Sequence, residues 1–463
     1  MIAHSHAGIL RTLFVALALL LIAACTEVGP NYVRPSTPVP AAYKEAAAQD
    51  AQQRANPAAA AGKWWEIYTD PELNALVSQV EVSNQTLAAA AARVREAQAL
   101  VRVAGGASVP AINAGTFKSG RKNENDFGIG VSWEIDLWGR IRRDVEAHRA
   151  AALASAADLA AATLSLQAQL VQSYFALREN DAVIELLQRA ADVDDQWDHM
   201  VGNQYTQGIA SSTDVAQASR RSSTSHLQLA DARTSRAQFE HAIAVLIGKP
   251  PAEFSIAPAA FVYNVPVIPT DVPATLLERR PDVVASERKM AAASARIGVA
   301  KAGTLPSINL AAGIGVLRGP SATADVRAPL FAGGRLDAQV DNADAAYAEA
   351  VANYRQTVLD AYREVEDGLM AASTLAGVAE RQARAAAAAI ESDRVTRNQY
   401  LEGVVDFPAV VDVASGALDA GRGELQLRLR RLDVSVNLIK ALGGNWQPVA
   451  DPDPGQHVES AAR

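Results

Sequence analysis

Side chains able to do chemistry are few in this chain, and their placement excludes most reactions. Cys25 is the only cysteine in 463 residues, so no intrachain disulfide can form. It follows Ile22-Ala23-Ala24, and small residues ahead of a lone cysteine resemble a lipobox, in which the cysteine becomes the lipidated first residue of the mature chain. Arg11 and the apolar run Thr12–Ala24 have the length of a signal-peptide core, too short for a membrane span. Thr26 stands where an inner-membrane retention signal would show Asp, which points to outer-membrane sorting. The seven histidines, His4, His6, His148, His199, His226, His241 and His457, have no metal-ligand spacing. No Ser/His/Asp or Cys/His set suggests a nucleophile. Gly128-Ile129-Gly130 and Gly313-Ile314-Gly315 look like fragments of a dinucleotide loop, but each lies inside a strand pattern instead of between strand and helix. The doublets Arg142-Arg143, Arg220-Arg221 and Arg430-Arg431 read as solvated faces or interhelix pairs. No catalytic residue, metal site or cofactor is expected.

Composition sets outer bounds. The chain is 49% hydrophobic with a formal net charge of -8, and the acidic balance argues against general nucleic-acid binding. Aromatic residues make up only 5% while alanine is abundant, which predicts helices packed closely on small side chains. No run approaches the roughly 20 apolar residues of an inner-membrane helix.

The elements that position these residues have a clear pattern. From Phe127 to Leu137 every odd residue is apolar, while the even positions hold Gly128, Gly130, Ser132, Glu134 and Asp136. A two-residue period predicts a strand with one oily and one wet face. Eleven residues rise roughly 36 Å, and a tilt near 45° reduces this to about 25 Å, the height of a transmembrane barrel's apolar band. Pro110 introduces a partner strand, Ile112–Lys118, and the polar run Ser119–Asp126 reads as the turn between them. Earlier, Asp70-Pro71-Glu72 starts a helix that breaks near Ser83-Asn84 and stops at Gly105-Gly106. Later, Arg140 to about Val201 reads as one helix, roughly 90 Å long. It carries Thr163, Leu170, Leu177, Ile184 and Ala191 at coiled-coil spacing. Asn203–Gly208 breaks it, and a second helix, Thr213–Ile247, returns.

The programme then repeats. A proline-punctuated linker, Gly248–Pro273, leads to a helix opening at Pro281. Strands Ser307–Leu317 and Ala322–Leu330 follow, about a turn at Arg318-Gly319-Pro320. A long helix runs from Arg335 to about Val395, breaks at Asn398–Gly403, and is followed by a return helix, Ala409–Leu442. Gly139 and Gly334, Tyr205 and Tyr400, Gly208 and Gly403, and Gly248 and Gly443 each stand 195 residues apart, which marks a duplicated unit. The expected organisation is a signal peptide (1–24), a lipidated extended segment (25–62), a first repeat (63–248), a linker (249–280), a second repeat (281–444) and a disordered tail (445–463). Lipid offers no partner to a free strand edge, so the four strands require an oligomer. Two chains would give eight strands and a filled lumen; three would give twelve and an open one.

The chain resembles the TolC family of outer-membrane channel proteins, and within it the lipoprotein branch of NodT-type outer membrane factors that serve tripartite efflux pumps. The residues carrying the resemblance are Ile22–Cys25, Val28–Tyr32, Trp65–Leu73, Ser132–Arg140, Arg279–Asp282, Ile297–Ala302 and Leu330–Arg335. It implies a mainly α chain with a transmembrane β-barrel part: a homotrimer whose twelve-stranded barrel continues as an α-helical periplasmic tunnel with an equatorial belt. It further implies a passive, lipid-anchored outer-membrane exit duct for drugs, toxic organics or metal ions, and no enzyme. The implied partners are a periplasmic adaptor (membrane fusion protein), an inner-membrane transporter of the RND type and outer-membrane lipid, with no nucleic acid. The alternative is a type I protein-secretion duct, followed by an outer-membrane enzyme.

The same resemblance assigns roles. The segments Thr206-Gln207-Gly208-Ile209 and Leu401-Glu402-Gly403-Val404 would be the tips that dock the adaptor. Asp412 matches a ring carboxylate at the closed end, and Pro408 stands at a hydrophobic ring position. Tyr400 would be hydrogen-bonded to Asp214 across the closed mouth. Ala409 stands where some members carry a second ring Asp, and Val405 where a gating Arg occurs, so both of those contacts are expected to be missing.

Overall fold

The computed structural model describes residues 27–36, 39–45, 63–118, 125–266, 268, 279–316, 319–444 and 446. The expected signal peptide, Cys25, much of the 25–62 segment, residues 119–124 where a turn is expected, Leu317, Arg318, part of the expected linker and the residues from Gln447 lie outside these. The helices are α1 (Pro71–Ser83), α2 (Gln85–Gly106), α3 (Arg140–Thr206), α4 (Ser212–Leu246), α5 (Pro281–Ala302), α6 (Arg335–Leu401) and α7 (Phe407–Ala441). The strands are β1 (Ala111–Lys118), β2 (Asn125–Ile135), β3 (Ser307–Gly315) and β4 (Gly319–Arg327). The chain divides into two compact units, one of residues 1–38, 89–160 and 281–359, the other of 39–88, 161–280 and 360–463.

The first unit holds the sheet, antiparallel in the order β1-β2-β3-β4. The two hairpins meet through β2 and β3, and β1 and β4 remain open edges. Register sets Ile129 opposite Ile314, Val131 opposite Ala312, Trp133 opposite Leu310 and Ile135 opposite Ile308. This produces the expected oily face, and its side chains are exposed: Phe127 at 58%, Ile129 at 52% and Ile314 at 59%. A Cβ on Gly128 would fall 2.4 Å from the Ile314 carbonyl oxygen. Close approach of β2 to β3 therefore requires that glycine, and no dinucleotide loop is involved.

Both outer strand boundaries differ from expectation. β2 stops at Ile135 instead of Leu137, because the Asp136 carboxylate turns to accept the N–H groups of Ile141 (3.1 Å) and Arg142 (3.0 Å) and caps α3. β4 runs three residues earlier than the sequence suggests. Gly319 and Pro320 already pair with Gly315 and Ile314, so two residues of the expected turn belong to the strand. Pro329 has no N–H with which to prolong the far end.

Residues 27–36 lie against this same unit. Val28 N–H donates to the Trp138 carbonyl (3.0 Å), Arg143 Nη2 to Asn31 (2.7 Å), the Tyr32 hydroxyl to Glu287, and Arg34 Nε to the Tyr354 hydroxyl (3.1 Å).

The second unit is helical. Asp70 caps α1 by accepting from the Glu72 and Leu73 N–H groups, at 2.8 and 3.1 Å. The same carboxylate accepts from Tyr174 (2.7 Å) and Tyr263 (2.6 Å). Burial by itself would raise its pKa, but the bonds from Tyr263, Tyr174 and the two backbone N–H groups outweigh burial and hold it below the usual value. The described part of the linker is strapped down by side chains of α3 and α4. Arg178, Arg236 and Asp181 bond Ala257 O (2.7 Å), Ile256 O (2.6 Å) and Ala259 N–H (3.2 Å).

The duplication is visible in lengths. α3 and α6 each have 67 residues, α4 and α7 each 35, and α2 and α5 each 22. The equivalent last-turn carbonyls of the return helices are also both capped: Asn84 donates to Leu246 O (2.7 Å), and Arg280 to Ala441 O (3.1 Å). Both long helices outrun the expected ends at about Val201 and Val395. Asn203-Gln204-Tyr205 and Asn398-Gln399-Tyr400 remain helical, and only the following glycines stop the helix. Leu170, Leu177 and Ala191 of the heptad set are fully buried.

Candidate functional site

Each long helix meets its return helix at a tight tip, and the two tips share one backbone. Gly208 and Gly403 both have φ +76°, a left-handed conformation that closes a helix C-terminus. Gly208 N–H bonds Tyr205 O and Ile209 N–H bonds Gln204 O, both at 2.9 Å; Gly403 N–H bonds Tyr400 O (2.9 Å) and Val404 N–H bonds Gln399 O (2.8 Å). All eight tip residues, Thr206, Gln207, Gly208, Ile209, Leu401, Glu402, Gly403 and Val404, are exposed. Three of them are large and apolar, with Ile209 at 72%, Leu401 at 65% and Val404 at 67% exposure. Apolar side chains presented on rigid turns are what a docking surface requires.

The return helices start differently. Ser211 and Asp214 form a reciprocal capping box at the start of α4. Asp406 caps α7 through the Ala409 N–H, with Phe407 and Pro408 next. Phe407 is buried and, with Tyr400, packs on Trp197 of α3; the ring centroids are 5.3 Å (Trp197–Tyr400), 5.9 Å (Trp197–Phe407) and 5.8 Å (Tyr400–Phe407) apart. Val201, Ala218 and Val410 complete this core.

Within one chain, Tyr400 and Asp214 bond to other partners. The Tyr400 hydroxyl donates to Gln204 Oε1 at 2.8 Å. Asp214 Oδ2 is taken by the N–H (3.0 Å) and hydroxyl (2.7 Å) of Ser211. Asp214 sits at the N3 position of α4, where closing the capping box competes for its carboxylate. It still lies close enough to act through space: burial, and then the Asp214 charge, raise the Tyr400 pKa. Asp412 and Pro408 are exposed on α7.

The sequence did not single out Trp197, Gln204 or Asp194. Arg221 was half-legible, as one of a doublet. Its side chain is 11% exposed and that of its partner Asp194 only 2%. Arg221 Nε donates to Asp194 Oδ1 at 2.6 Å, and its Nη1 reaches α7 at Val411 O (2.9 Å) and Ser415 Oγ (2.7 Å). The signal available was a break in the repeat: 195 residues on from Trp197, Asp194 and Arg221 stand Ser392, Ala389 and Gly416.

A profile described as "Outer membrane efflux protein" matches residues 76–249 and 272–444. The chain belongs to the outer membrane efflux protein family. The pyoverdine export outer membrane protein OpmQ of Pseudomonas aeruginosa is 30% identical over 419 residues, covering 83% of this chain and 88% of that one. The probable efflux pump outer membrane protein TtgC of Pseudomonas putida is 27% identical over 462 residues, covering 94% and 95%. The solved outer-membrane channel OprN superposes with a TM-score of 0.82 at 27% identity, covering 91% of this chain and all of that one. The resemblance to outer membrane factors therefore holds, as does the fold: mainly α with a β-barrel part. The chain is an outer-membrane exit duct for efflux, and the tips and the α3–α4–α7 core are parts of a channel.

Proposed function

We propose that three copies of this chain form a passive duct, lipid-anchored through Cys25, that carries small organic molecules or metal ions outward. They would come from a periplasmic adaptor and an inner-membrane transporter of the RND type. The observation that carries the oligomer is the sheet: an exposed apolar face and two open edges, β1 and β4. In lipid each open edge needs a strand partner, and three copies of four strands close a twelve-stranded barrel with an open lumen. Continuing the barrel, the helices form a tunnel whose mouth carries the tips and a ring of three Asp412 carboxylates. Such a ring favours cations and repels anions. The chain performs no chemistry of its own in this reading.

Native mass spectrometry of the detergent-purified protein should give three chains per particle. Deleting the gene should sensitise cells to small toxic compounds while leaving secreted proteins at normal level. A dimer would overturn the barrel, and loss of one secreted protein with unchanged drug tolerance would favour the type I secretion duct. Labelled fatty acid should enter the wild-type protein and not Cys25→Ser; label retained in that variant would refute the anchor.

A further inference from the structure

We propose that Arg221 pins the turn of α7 that carries Asp412, and so positions the constriction in its closed state. The inference rests on the reading of Asp412 as a pore-lining carboxylate. Arg221 belongs to α4, and its fork spans three helices. Nε is held by Asp194 of α3, while Nη1 donates to both Val411 O and Ser415 Oγ of α7. Ser415 Oγ itself donates to Val411 O at 2.7 Å, and Asp194 Oδ2 accepts from Ser225 Oγ at 2.5 Å. Both Asp194 oxygens and the Ser415 hydroxyl are thus engaged, around a guanidinium whose side chain is only 11% exposed.

The two α7 acceptors bracket Asp412 in sequence: Val411 precedes it and Ser415 lies three residues beyond. On a helix, positions 411 and 415 share a face, and 412 lies about 100° round from 411. The exposure follows that geometry. Val411 and Ser415 are half-buried against α3 and α4, and Asp412 is exposed. A side chain that fixes the first face therefore fixes where the second one points.

Generic packing of the repeat does not explain the cluster. Its equivalents in the second repeat, Ala389 and Gly416, cannot make a reciprocal pin, so only the Asp412-bearing helix receives one. Arginine suits the position because its planar fork reaches a carboxylate and a carbonyl from two separate nitrogens, whereas lysine has one nitrogen on a flexible stem.

The test uses full-length trimers in planar bilayers, with trimer yield measured alongside. Arg221→Lys keeps a cation beside buried Asp194, and so should fold even where Arg221→Leu does not. Its one nitrogen does not reproduce the separate Nε contact to Asp194 and Nη1 contacts to α7. The expected result is normal trimer yield, single-channel conductance raised several-fold, and cation preference lowered toward that of Asp412→Ala. Adding Asp412→Ala to Arg221→Lys should give the preference of Asp412→Ala alone. Arg221→Lys trimers with wild-type conductance and selectivity would overturn the pin. Raised conductance in Arg221→Lys, with selectivity untouched by Asp412→Ala, would support the pin and refute the ring reading of Asp412.

Discussion

The two tips share a backbone down to the torsion of the closing glycine, yet their neighbouring tyrosines have opposite surroundings. Tyr205 is 50% exposed. Tyr400, its counterpart 195 residues later, packs on Trp197 and Phe407 and bonds Gln204. The difference comes from two other breaks in the repeat: Ser392 stands where the first half has Trp197, and Ser212 where the second half has Phe407. Duplication supplied the same glycine-closed turn twice, and a few aromatic substitutions tied the second tip to the core. Identical local structure therefore sits in different packing, with the first tip exposed and the second exposed at its turn but joined through Tyr400 to a buried aromatic core.

The largest expected effects are on docking, where the tips should behave alike. Ile209→Asp and Val404→Asp should each abolish efflux at unchanged trimer yield, because a charge would replace an exposed apolar contact. Loss of efflux in only one of them would show that the partner reads a single tip. Substitutions at Gly208 and Gly403 are less clean, because φ +76° strains most side chains; Asn, which tolerates that region, is the suitable control.

Next in size is the aromatic core, where the tips should differ. Trp197 is 9% exposed, and truncating a buried Trp to Ala typically costs about 3–5 kcal/mol. Trp197→Ala should lower the thermal midpoint of the purified protein clearly, and Ser392→Ala hardly at all. Equal shifts would mean that the two halves are packed equivalently after all.

A smaller, pH-dependent effect is expected far from the tips, in α7. Burial lifts the Asp433 carboxyl to about 6, and its Oδ1 is buried without a hydrogen-bond partner. With the folded-state pKa above the unfolded one, the protonated acid favours the fold, and that contribution fades as pH rises from about 4 to about 6. Asp433→Asn should therefore stabilise the protein above about pH 6, on the order of 1 kcal/mol after screening of a partly exposed group, and have little effect near pH 4. A stability gain independent of pH would contradict this.

Much of the fold was legible because it is written in periods. The alternation from Phe127, the heptads of α3 and the 195-residue offset are each repeated many times, so single exceptions do not hide them. Boundaries were less legible. Asp136 fits the strand pattern but is taken by the first turn of α3, and Tyr205 and Tyr400 sit in stretches that look like breaks yet stay helical. The site was read unevenly. Its exposed tips follow from the glycines, whereas the partners of Arg221 lie 27, 190 and 194 residues away, beyond any local pattern. At Asp214 the family resemblance points to the mouth, whereas the local pattern of Ser211 and Asp214 spells a capping box, which is the contact one chain makes.

The most direct test of unequal roles at equal tips is a pair of identical substitutions, Tyr400→Ala and Tyr205→Ala, compared by single-channel conductance. Tyr400→Ala removes the Gln204 bond and a ring from the Trp197–Phe407 core, and should raise conductance. Tyr205→Ala should leave it at the wild-type value. Equal conductance changes in the two variants, or a rise in Tyr205→Ala alone, would contradict the account.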